Sequence, residues 1–167
     1  LTFWVNWPYL GVMRLTQATN YSIRVLLYCA ANPDRPSRVA DIASVFDMSE
    51  THLFKILKVL VDNKFIETIR GRHGGLKLGR PAEEIRLGDV ISATEESFMM
   101  AECFSEEGHK DCPLILSCEY NRVLREALGA FFAVLDKYTI ADIAKDRVDL
   151  RHMLGLDQPL AKLAVGA

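Results

Sequence analysis

The chain has 167 residues, half of them hydrophobic, and a formal net charge of −2. That is enough apolar material for one compact domain, or two small ones sharing a core. No apolar run reaches the ~18 residues that a membrane-spanning helix needs, so we expect no membrane span.

The first twelve residues, LTFWVNWPYLGV, carry no charge and hold both tryptophans. They lack the basic start and the small-residue cleavage site of a signal peptide. Met13 follows directly, and translation is expected to begin there. Residues 1–12 then form a non-native or upstream extension; the alternative is a short apolar arm docked on the body. Without an export signal, the expected location is cytoplasmic, where thiols stay reduced.

Residues 13–82 read as a DNA-binding unit. Residues 17–31 predict a helix capped by Thr16 and broken by NPDRPS. In RVADIASVF, Val39, Ile42, Ala43 and Phe46 fall on one helical face. Ser49 caps a third helix, residues 49–63, with Glu50 at its positive end. Leu53, Ile56, Leu57, Leu60 and Val61 form the apolar face of that helix, opposite Thr51, Lys55, Lys58 and Asp62. Phe65, Ile66, Thr68 and Ile69 favour a strand, GRHGG a turn, and LKLG the return strand, stopped by Pro81. Short helix, turn, amphipathic helix and basic hairpin is the order of a winged helix-turn-helix. Residues 13–80 carry 11 Lys/Arg against 6 Asp/Glu, which suits phosphate contact. Thr51, Phe54, Lys55 and Lys58 are the candidate base and phosphate contacts, with Arg70, Arg72 and His73 on the wing. Gly71, Gly74 and Gly75 let the wing backbone turn sharply and come close.

Residues 83–100 read as a connecting helix, IRLGDVISATE. The charge then changes sign: residues 81–121 carry 2 Lys/Arg against 10 Asp/Glu. Within that segment, loop 101–118 holds Cys103, Cys112 and Cys118; the fourth cysteine, Cys29, lies in apolar LLYCAA and reads as a small buried residue. A disulfide would leave one thiol over. Zinc with His109 is open, though the spacing lacks the short knuckle of most structural sites. An iron–sulfur cluster needs several cysteines on an adaptable loop. On spacing, cluster, zinc and no metal stand level. A thiol enzyme built on Cys103 or Cys112 with His109 has no oxyanion pocket and no third orienting group, so no catalytic residue is assigned.

Residues 113–138 predict one long helix with Pro113 in its first turn. Leu124, Leu128, Phe131 and Leu135, widened by Ala127 and Val134, make its apolar stripe. At 26 residues it would span roughly 39 Å, more than a small domain needs, so we expect a two-fold dimer packed along it. Such a dimer presents two reading helices to a palindromic double-stranded operator. Thr139 and Asp142 give a capping-box start for IADIAK, closing a dimerisation segment at 113–147. Residues 148–167 are expected to be a C-terminal tail. The fold class is mainly α: a winged helix-turn-helix with a small hairpin and a long dimerisation helix.

MRLTQATNYSIRVLLYCAA, the stretch from MSETHLFKIL to ISATEESF, and AECF with CPLILSC together resemble the winged-helix iron–sulfur repressors of the IscR, NsrR and RirA type. The resemblance runs from Met13 to about Leu156. SFMMAECF and ALGAFFAVLDKY bring it closest to the rhizobial iron regulator RirA. It implies a homodimeric repressor in which Cys103, Cys112 and Cys118 hold a cluster, 4Fe–4S in that branch, with 2Fe–2S and zinc as alternatives. It also implies control of iron-uptake and iron-metabolism genes through a labile cluster, nitric-oxide or redox sensing being the alternative. NsrR-type proteins add an aspartate ligand near the N-terminus. The matching position here is Asn20, a neutral and poor ligand, which leaves the fourth iron site open. Glu102, Glu106, Glu107 and Asp111 surround the thiols and disfavour an anionic cluster, consistent with lability.

Overall fold

The computed structural model describes residues 14–72, 74–105, 112–114 and 117–156. The extension 1–12 lies outside them. Helix α1 (Gln17–Ala31) is capped by Thr16, whose hydroxyl accepts from the Thr19 N–H. Its Val25, Leu26, Cys29, Ala30 and Ala31 are buried, and the helices at residues 50–62, 87–94, 140–143 and 147–153 and the strand at 75–78 pack against it. Helix α2 (Val39–Val45) buries Ile42 and Ala43. Helix α3 (Glu50–Asp62) is capped by Ser49 and buries Leu53, Ile56, Leu57 and Leu60. Their 3, 1, 3 spacing puts all four on the side turned to α1, and leaves the polar side to solvent.

Strands β1 (Ile66–Ile69) and β2 (Gly75–Leu78) pair antiparallel, with Ile66 opposite Leu78 and Ile69 opposite Gly75. The hairpin does not stand alone. Ser37 and Leu76 exchange two backbone hydrogen bonds at 2.8 Å, an isolated bridge that pins the segment before α2 to the hairpin's edge. A 3₁₀ turn (Ala82–Glu84) leads into α4 (Leu87–Thr94), which buries Val90 and Ile91. Ile85 and Val90 join the same core as α1 and α3, so this connection is woven into the winged body. Thr19 and Thr94 hydroxyls meet at 2.8 Å, and the Thr16 N–H donates to Glu95 Oε1 at 2.7 Å. The start of α1 is thereby tied to the end of α4.

Two expectations need correction. The long helix, α5, is Glu119–Leu135, 17 residues rather than 26. Pro113 lies in a turn ahead of it, because Cys118, in extended conformation, supplies the cap. At 1.5 Å per residue the helix spans about 26 Å, not 39. The C-terminal segment is also not a plain tail: after α6 (Ile140–Ile143), whose Thr139–Asp142 capping box is present, Asp146 caps α7 (Arg147–Met153). Arg151 of α7 donates to Ala31 O at 2.9 Å, and Leu154 and Leu156 are buried against the core.

Helix α5 has an apolar stripe yet no buried residue. Val123 and Val134 are about half exposed. A groove of about 510 Å³ beside it is lined by Phe98, Met99, Met100, Leu128 and Phe131 among others. Among the described residues, no helix is long and apolar enough to cross a membrane.

Candidate nucleic-acid interface and cysteine segment

Thr51, Phe54, Lys55 and Lys58 all lie exposed on α3. Phe54 is 56% exposed, so its ring is free to meet a partner on the outer side of the helix. The Lys58 ammonium bonds Asp62 Oδ2 at 2.7 Å, which raises its pKa. Both groups face water, so the pair is weak and a phosphate oxygen can replace the carboxylate. At the hairpin tip Arg70 and Arg72 are exposed, while His73 lies outside the described residues. Gly71 sits at φ +110°, where L side chains rarely go. A Cβ on Gly74 would run into the Ile69 carbonyl oxygen. The tip therefore turns as it does only with glycine at these two places. The hairpin edge fixed to Ser37 holds the wing beside α3, so helix and wing form one continuous face.

The cysteine segment lies at the other end of α4. Phe98 stacks edge-on against Phe132 of α5, ring centroids 4.8 Å apart. Cys103 sits in a 3₁₀ turn (Glu102–Phe104) and Cys118 at the start of α5; both are partly buried, as is Cys112. The Asn121 backbone N–H donates to Cys118 Sγ at 3.4 Å, and Asn121 Nδ2 donates to Cys103 Sγ at 3.1 Å. Two of the three thiols, 15 residues apart in sequence, thus converge on one residue. Cys112 does not complete a trio: among the described residues, no group of three or more His, Cys, Asp or Glu side chains is close enough to hold a metal. Glu102 is exposed, and Glu106, Glu107, His109 and Asp111 lie outside the described residues. Cys29 is a different kind of thiol, buried in α1, with burial pushing its pKa up to about 12.

The chemistry of the pair suits a thiophilic centre: two soft sulfurs, each with an N–H group of Asn121 aimed at it, while Cys112 stands apart from them among the described residues. Asn20 is placed elsewhere in its bonding: its Nδ2 donates back to Leu15 O and Thr16 O, at 3.3 and 2.9 Å. Asn121, Arg125 and Phe104, which the geometry brings to the thiols, carry no sequence signal that marks them; an asparagine three residues into a helix reads as ordinary first-turn polarity.

A winged helix-turn-helix body with Lys55, Lys58, Arg70 and Arg72 exposed on α3 and the hairpin, joined through α4 to a thiol-bearing segment, has the architecture of a winged helix-turn-helix regulator. The sequence profile of the Rrf2 family, described as an iron-dependent transcriptional regulator, matches residues 15–146. The chain belongs to that family. It is 53% identical over 148 residues to Protein aau3 of Rhizobium meliloti (strain 1021), covering 89% of this chain and 96% of that one. It is 44% identical over 143 residues to the HTH-type transcriptional regulator NsrR of Geobacillus kaustophilus (strain HTA426), covering 85% and 97%. Among solved structures, T. potens IscR superposes with a TM-score of 0.65 over 81% of this chain and 88% of that one. At 23% identity that likeness speaks for the fold alone. The curated relatives place the chain beside regulators named NsrR; they do not single out the RirA branch.

Proposed function

We propose that this chain is a homodimeric repressor that binds a palindromic operator and holds an iron–sulfur cluster, 4Fe–4S, on Cys103, Cys112 and Cys118. The observation that carries the cluster reading is the convergence of two sulfurs on Asn121 at the start of α5. The relatives named NsrR favour a nitric-oxide or redox signal over iron scarcity. A bound cluster would supply a centre that nitric oxide or oxidation destroys.

The chain's own residues give the route from thiols to DNA. With Cys103 and Cys118 held together, segment 95–105 stays fastened to α5 through Phe98 and Asn121. Glu95 and Thr94 fasten the other end of that segment to α1, which packs on α3. Freeing the thiols loosens α4 from α5, and a dimer paired along α5 then presents its two α3 helices at a changed spacing. Thr51, Phe54, Lys55 and Lys58 would meet base edges and phosphates in the major groove, and Arg70, Arg72 and His73 the backbone beside it.

Anaerobic purification tests the centre: broad visible absorption with bound iron and sulfide is expected, whereas a colourless protein with stoichiometric zinc would make the metal structural. Operators selected from random duplexes then test the signal. A nitric-oxide donor is expected to abolish binding faster than a ferrous chelator does. The reverse order would favour the iron-responsive reading, which the family's description as iron-dependent supports.

A further inference from the structure

Asn121 makes one bond to the thiol segment that the start of the helix does not explain. Its backbone N–H meets Cys118 as the cap of α5, but its side-chain NH₂ also meets Cys103. The other end of the amide is fixed as well: Arg125 Nε donates to Asn121 Oδ1 at 2.8 Å, one helical turn on. Because a guanidinium can only donate, the amide oxygen must face Arg125 and the NH₂ must face sulfur. Arg125 is itself held in place, its guanidinium carbon 4.9 Å from the centre of the Phe104 ring. Phe104 is the neighbour of Cys103, so the contacts close a ring: Cys103, Phe104, Arg125, Asn121, Cys103.

We propose that Asn121, oriented by Arg125, is a positioning residue that holds the Cys103 and Cys118 sulfurs as a joint ligand pair and thereby sets how long a thiophilic centre stays bound. This rests on the reading of these cysteines as ligands given above. Outer donors of this kind commonly change metal retention by 10–100-fold when removed.

Asn121→Asp separates positioning from mere packing. It is isosteric and keeps an oxygen for Arg125, but it turns an oxygen lone pair, not N–H, toward Cys103. Cluster loss to EDTA, followed by visible absorption under anaerobic conditions, is expected to be roughly tenfold faster in Asn121→Asp than in wild type, on the scale of outer-donor effects. It should also be faster than in Asn121→Ala. Arg125→Met leaves Asn121 in place but frees the amide to rotate; it should fall between wild type and Asn121→Asp. Cobalt(II) added to the metal-free protein gives a second readout, since sulfur-to-cobalt charge-transfer absorption counts bound thiolates; it should drop in Asn121→Asp. Wild-type rates and wild-type cobalt absorption in Asn121→Asp and Arg125→Met would overturn the proposal while leaving the cluster reading intact. A wild type that takes up no iron and sulfide, yet whose cobalt absorption falls on Asn121→Asp, would sink the cluster reading and keep the sulfur pairing.

Discussion

Gly74 packs so closely on the Ile69 carbonyl that a methyl group has no place to go. Gly74→Ala must therefore push the hairpin tip open, a strain on the order of 1–3 kcal/mol for forced packing. Because the tip lies outside the core, we expect the melting temperature to fall by only a few degrees and operator affinity by about tenfold or more, read together by calorimetry and fluorescence anisotropy. Lys58→Ala makes a gentler case: it should lower the slope of log affinity against log salt by about one, with selectivity among operators unchanged. The two kinds of thiol also separate at this scale. Cys29 is buried, with its pKa raised to about 12, and should resist iodoacetamide at neutral pH in the native protein. Cys103, Cys112 and Cys118 are partly exposed and should react in the metal-free chain, so mass spectrometry is expected to find three alkylated sites and a fourth only after denaturation.

Among the elements, those whose ends carry familiar caps were the ones readable in advance. Thr16, Ser49 and Thr139 each accept the N–H they were expected to, and the strand residues around GRHGG pair as anticipated. The start of α5 was not readable, because Pro113 suits a first helical turn and an ordinary turn equally well, while cysteine is not a usual cap. Helix α7 escaped for another reason: RVDLRHM shows too short an apolar pattern to mark a helix, and it is anchored by Leu150 and Leu154 packing on the core and by Arg151 reaching Ala31 O far away in the chain. At the thiols, residue types suggested the chemistry, but the role of Asn121 follows only from where α5 begins. The α6 cap carries a pH signature. Hydrogen bonds from Thr139 hold the Asp142 carboxyl below its ordinary pKa of 3.8. A depressed pKa means the contribution is complete above the unfolded value and is lost as pH falls through the lower, folded one. The stability difference between wild type and Asp142→Asn should thus shrink on going from neutral pH to well below 3.8, measured as the gap between their urea midpoints.

At the scale of the molecule, the core gathers around α1 and leaves the stripe of α5 unburied. An amphipathic helix with no buried residue, at Glu119–Leu135, is costly to leave in water. If two copies cover it, Val123→Glu together with Val134→Glu should give a folded monomer in sedimentation equilibrium, since both side chains are already about half exposed in the single chain. Operator affinity should fall sharply, because two half-sites would no longer be bound as one. An unchanged dimer would move the interface elsewhere. Cys112→Ala is the complementary experiment: a dimer that persists but binds the operator poorly, with or without nitric oxide or chelator, is expected, and wild-type operator binding by it would contradict the cluster's role.

The Cys118 sulfur has two employers. It accepts the Asn121 N–H that starts α5, and it is a proposed ligand. Loss of function in a Cys118→Ala protein would therefore be ambiguous, since the alanine removes the helix start along with the thiol. Cys118→Ser restores a good cap while removing the sulfur, so serine and alanine at this one position form a matched pair. What the two share reports on chemistry at the sulfur; what divides them reports on the first turn of the helix.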